Sequence, residues 1–165
     1  MATIISGTTG IDRVHTDAVT ADHIAGTVLQ TAIGSSATGT YVNSTLDWET
    51  PSGMSVTITP SKTTSKIMVS WSTSVMVYPS TNVQTVFCQI IRNTTQVIYL
   101  PAHYANQASE WRTYVEGSTY IDAPNSTSAL TYQLQFKTGI AGTDSNVRIN
   151  QYGGTAFIQA SEIGG

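Results

Sequence analysis

A hydrolytic triad needs a serine, a histidine and an acid brought together. This chain supplies 18 serines, three histidines and ten acidic residues in 165 positions. Any sequence this rich in serine contains that inventory by chance, so spacing has to decide. No G-x-S-x-G elbow is present. His103 lies in Pro101-Ala102-His103-Tyr104, which reads as a loop with no acid beside it. A structural or surface histidine is expected there. Asp17, Asp22 and His23 carry ligating atoms, but their spacing fits no ordinary metal pattern. Asp144 and Asn146 stand in a glycine-rich turn with too few acids for a dedicated calcium loop. Asp47, Glu49, Glu110, Glu116, Asp122, Asp144 and Glu162 make no recognisable pair of the kind that cleaves glycosides. Cys88, the single cysteine, alternates with Val86 and Ile90 and reads as a small buried hydrophobe. The expectation is a protein that is not an enzyme, with no catalytic residue, no metal site and no cofactor.

Aromatic side chains remain. Tyr99, Tyr104, Tyr114, Tyr120 and Tyr152 are distributed among residues rich in Asn, Gln and Thr. Rings stack on the apolar faces of sugars while amides bond the hydroxyls, so these tyrosines are candidates for a glycan patch. The same residues can also pack between subunits, which is the preferred reading. Asn43-Ser44-Thr45, Asn93-Thr94-Thr95 and Asn125-Ser126-Thr127 match the glycosylation sequon, as a chain so full of Ser and Thr does by chance.

The elements that position these residues follow from composition and period. Thr (27) and Ser (18) occupy 45 positions, while charged residues make up only 10%, against about 25% in ordinary soluble domains. From Val28 onward the apolar residues fall on every second site, the mark of strands with one dry face. The spacing predicts strands over 28–32, 41–46, 54–59, 66–78, 85–91, 96–100, 110–122, 130–137, 147–152 and 156–163. In the clearest, Ile67, Val69, Trp71, Thr73, Val75 and Val77 form one row and Met68, Ser70, Ser72, Ser74 and Met76 the other. Asn93 is suited to the backbone angles of a hairpin turn between the fifth and sixth strands. Trp71 and Phe136 are expected in the core. Many short strands with turn signals between them indicate an all-β antiparallel sandwich of the jelly-roll type, about residues 28–165.

Residues 1–27 differ. Ile4, Ile5, Ile11, Val14, Val19 and Ile24 are too sparse for a core, and only a short helix near 20–25 is expected. This stretch reads as an extended N-terminal arm that docks on another molecule. Net charge is −3 and the pI about 5.4, and the seven basic residues are scattered. No cluster can neutralise a run of phosphates, so nucleic acid is not an expected partner. MATIISGTTG has no basic n-region or apolar h-region, and no apolar run approaches the roughly 20 residues of a membrane span. So little charge on a lone sandwich invites edge pairing, so much of the surface is expected to be covered by identical neighbours.

Three stretches carry a family resemblance: Val56-Thr57-Ile58-Thr59-Pro60 with Ser65 to Ser70; Tyr120 to Pro124 leading into Ser128 to Gln135; and Phe157 to Gly164. They resemble the jelly-roll domains, similar in shape to the C1q and tumour-necrosis-factor heads, of tailed-phage virion proteins of cyanobacterial and marine phages. Gly10 to Val14 and Val19 to Asp22, ahead of Val28-Leu29-Gln30, resemble the attachment segments of such proteins. The resemblance implies a homotrimer on the outer surface of a virion, made in the host cytoplasm, acting as a capsid decoration (cement) protein or head fibre. Its arm, through the six apolar residues named above, would grip the major capsid protein or another virion protein. The alternative is a receptor-binding tail-fibre or baseplate protein that recognises host surface carbohydrate.

Overall fold

The computed structural model describes residues 26–35, 41–79, 84–105, 111–140, 146–150 and 156–165. Among them are ten strands: β1 (Val28–Ser35), β2 (Tyr41–Asn43), β3 (Ser55–Ile58), β4 (Lys66–Tyr78), β5 (Gln84–Arg92), β6 (Thr95–Ala105), β7 (Arg112–Asp122), β8 (Leu130–Thr138), β9 (Asn146–Ile149) and β10 (Phe157–Ile163). Every pairing is antiparallel. The first sheet is built around β4. β7 pairs along one of its edges; β10 and β9 lie end to end along the other, with β1 beyond β10 and β2 beyond β9. The second sheet runs β3-β8-β5-β6. The chain passes back and forth between the two sheets, so residues distant in sequence face each other across one core. The protein is an all-β jelly-roll sandwich.

The period of two explains why these residues make these strands. Ile67, Val69, Trp71, Val75 and Val77 of β4 are buried and face Leu130, Tyr132, Leu134 and Phe136 of β8 and Val86, Cys88 and Ile90 of β5. Each large side chain taken out of water in this way stabilises the fold by about 1.5–3 kcal/mol. Cys88 is buried at 1% exposure, and burial pushes its thiol well above the ordinary range, with the nearby Glu116 charge adding to the effect. It is a packing residue. Gly34 marks a close approach: a methyl group there would meet the Ser55 carbonyl oxygen at 2.2 Å, so β1 crosses β3 only because position 34 has no side chain.

Three expectations change. Residues 101–104 are not a loop, because β6 continues through them to Ala105. The second strand stops at Asn43, whose Oδ1 accepts from the Thr45 N–H at 2.7 Å and turns the chain. The ninth ends at Ile149, because Asn150 takes a positive φ of 57°. Asn93 has the left-handed backbone expected of it (φ 55°), and its side-chain oxygen accepts from the Thr131 N–H at 2.9 Å. At the start of the described residues, Gly26 and Thr27 already exchange backbone hydrogen bonds with Gly164. The helix near 20–25 and the Asp17/Asp22/His23 group lie outside the described residues.

Candidate functional site

The outward face of the first sheet is built by alternation and register. Val115, Gly117, Thr119 and Ile121 of β7 stand beside Ser74, Ser72, Ser70 and Met68 of β4. Ser72, Ser70 and Met68 stand in turn beside Phe157, Gln159 and Ser161 of β10, and Ile33 and Thr31 of β1 complete the rows. Lys66 marks one end of this surface and Arg148 the other; between them no outward residue among the described ones carries a charge. Val115 is 79% exposed, Ile33 66% and Ile121 58%. A sandwich ordinarily gives its solvated face to charged residues. Here hydroxyls and bare hydrocarbon take their place. At the Arg148 end, the guanidinium lies 4.4 Å over the Trp111 ring, and Trp111 lies 4.5 Å from Tyr78.

Three polar clusters lock the sandwich together. Arg92 of β5 donates to Asp122 of β7 at 2.6 Å, and Tyr132 of β8 donates to the same oxygen at 2.7 Å. Burial, with Asp122 beside it, raises the Tyr132 phenol far above its usual range, so it remains a donor. His103 of β6 and Glu116 of β7 meet at 2.6 Å across the margin between the sheets. The His103 ring stacks on Tyr114 at 4.5 Å, and the Tyr114 hydroxyl donates to the Tyr104 carbonyl. Glu162 of β10 is fully buried. It accepts from Gln30 at 2.6 Å and from the Ser61 N–H and hydroxyl at 2.7 and 2.6 Å. Burial pushes its carboxyl up, but the hydrogen bonds from Ser61 and Gln30 oppose that, and the carboxyl is pulled down to about 2.

Of the tyrosines singled out in sequence, Tyr99 and Tyr104 lie on the outward row of β6, 49% and 61% exposed. Tyr114 and Tyr120 lie on the inward row of β7, packed against the core. Tyr152 is outside the described residues, as are Ile4, Ile5, Ile11, Val14, Val19 and Ile24. The sequence reading missed the His103–Glu116 contact because it placed 101–104 in a loop. Simple alternation from Tyr99 would send His103 outward; the register shift between Leu100 and His103 turns it inward, opposite Val86, and the sequence carries no signal of that shift. Among the described residues no group of three or more His, Cys, Asp or Glu is arranged to hold a metal ion, and no helix is long and apolar enough to cross a membrane.

No protein-family model matches the chain, and no curated protein matches it. Among solved structures it is similar to a chain in the crystal structure of the T13 IBDV viral particle, at 12% sequence identity and a TM-score of 0.39. The match spans 82% of this chain and 35% of that one. A likeness of this size identifies neither a family nor a function.

Proposed function

We propose that the protein is a structural component of a tailed-phage virion, a homotrimer that decorates or cements the capsid or forms a short head fibre. The observation that carries the assembly is the uncharged outward face of the first sheet. Three copies packing β7, β4 and β10 around a common axis would cover Val115, Ile121 and the serine rows, and the low overall charge fits that arrangement. The phage assignment is supported by the sequence resemblance. The action is mechanical. The sandwich projects outward, and residues 1–27 lie along the shell and tie neighbouring subunits together through apolar burial and strand-edge hydrogen bonds.

Sedimentation equilibrium tests the assembly. The wild-type chain is expected to be a trimer at micromolar concentration. Val115→Lys, at a position so exposed that the isolated sandwich tolerates it, should weaken association at least a hundredfold, with an unchanged far-ultraviolet spectrum. A wild-type monomer overturns the trimer. Removing residues 1–27 should abolish binding to empty capsids without dissociating the trimer; undiminished binding overturns the anchoring role.

A further inference from the structure

The outward face of the second sheet is built differently from the first, and the geometry points to a site for an acidic sugar on it. Two adjacent rungs form it. In one, Lys137 of β8 is paired in register with Phe87 of β5, and the Glu49–Phe136 bridge sets Trp48 on the other side. The Lys137 ammonium lies 4.8 Å from the Trp48 ring and 5.8 Å from the Phe87 ring. In the next rung the Gln89 amide donates to Gln135 Oε1 at 2.8 Å. Gln135 donates in turn to the Thr50 hydroxyl at 3.3 Å. Tyr99, opposite Gln89, closes the group: its ring stands edge-on to Trp48 at 6.3 Å and tilted to Phe87 at 6.2 Å.

The chemistry of this arrangement is directional. Lys137 is the single charged side chain on the described outward rows of β3, β8, β5 and β6. No carboxylate pairs with it among the described residues; two rings hold it in place instead. A cation fixed over aromatic faces keeps its capacity for an anion. Tyr99, half exposed, offers a hydrocarbon face of the size of a pyranose ring. Gln89, nearly buried, fixes the Gln135 amide, so that Gln135 and Thr50 present donors at the rim. A sugar with one apolar C–H face, a ring of hydroxyls and a carboxylate matches each of these groups. A neutral sugar leaves the lysine unused, and an acidic peptide leaves the ring face and the amides unused. The site is on the sheet opposite the proposed trimer face, so it stands whether or not three copies associate.

Calorimetric titration of the full chain at low salt with hexagalacturonate, hexaguluronate and sialyllactose tests the assignment. At least one should bind, with affinity falling as salt is added. Lys137→Met, which keeps the apolar stem, and Tyr99→Ser should each weaken it about tenfold or more with unchanged circular dichroism. Maltohexaose and polyglutamate should bind at least tenfold more weakly than the acidic sugar. The proposal is overturned if none of the three acidic saccharides binds. It is overturned equally if both variants bind like the wild type, or if maltohexaose or polyglutamate binds as well. Dissociation of the trimer by Val115→Lys, with sugar binding per chain retained, would separate this site from the assembly reading.

Discussion

Asp122→Ala is expected to lower the unfolding free energy by about 3 kcal/mol, the low end of the cost of breaking a buried ion pair. One carboxylate oxygen receives both the Arg92 guanidinium and the Tyr132 hydroxyl, joining the end of β7 in the first sheet to β5 and β8 in the second. The Asp122 side chain is only 8% exposed, while Arg92 keeps 24%. Truncation leaves a guanidinium that partly regains water and a buried phenol that regains none. The phenol adds about 1–3 kcal/mol of unmade hydrogen bond to the total. Tyr132→Phe should cost much less, about 1 kcal/mol, because it removes the donor together with its desolvation and leaves Asp122 paired to Arg92. Asp122→Asn should fall between them, since the amide oxygen still accepts but carries no charge. Urea unfolding at fixed chain concentration orders the three variants. An Asp122→Ala loss below about 1 kcal/mol, or a Tyr132→Phe loss equal to it, would mean that this junction does not hold the sheets together.

That junction also shows what a single sequence can and cannot disclose. The thirteen residues of β4 were legible to the residue, because a half-buried strand imposes a period of two and β4 obeys it from Lys66 to Val75, with Met76 buried as well near its end. The same rule placed Cys88, Trp71 and Phe136 inside. Pairing between distant residues leaves no such trace. Arg92 and Asp122 are 30 positions apart, and Gln30 and Glu162 are 132 apart. Only the order of strands in the sheets brings them together. The loop expectation at 101–104 failed for a related reason: Pro101 is an ordinary strand breaker, but among the described strands β6 lies at the edge of its sheet beside β5, where a missing N–H can face away from the ladder. Of the candidate tyrosines, exposure could not be read from residue type. Tyr99 stands between Ile98 and Leu100 and Tyr114 between Thr113 and Val115, yet it is Tyr99 that reaches solvent while Tyr114 packs against His103. Trp48 and Lys137 drew no attention in sequence because 89 positions separate them; the backbone bridge between Glu49 and Phe136 makes them neighbours.

The second large effect concerns acid. Glu162 is fully buried at the point where β10, β1 and the turn before β4 converge, and its carboxylate is the acceptor on which Gln30 and Ser61 close. Its folded value of about 2 lies below the ordinary 4.5. A depressed carboxyl contributes stability that is fully present above the unfolded value and fades as pH falls toward the folded one. The window is therefore about pH 4.5 down to pH 2, and the contribution above it is at most about 3 kcal/mol. Glu162→Gln keeps the shape and one acceptor oxygen for the Ser61 donors, but removes the charge and sets its amide hydrogens against the Gln30 amide donor. The variant is expected to lose about 3 kcal/mol at pH 7 and to be nearly indifferent to pH across that window at this site. Urea midpoints of wild type and variant should thus lie far apart at pH 7 and converge by pH 2.5. A gap that stays constant from pH 7 to 2.5 would show that the charge on Glu162 does not close the β1–β10 corner, and that packing alone holds it.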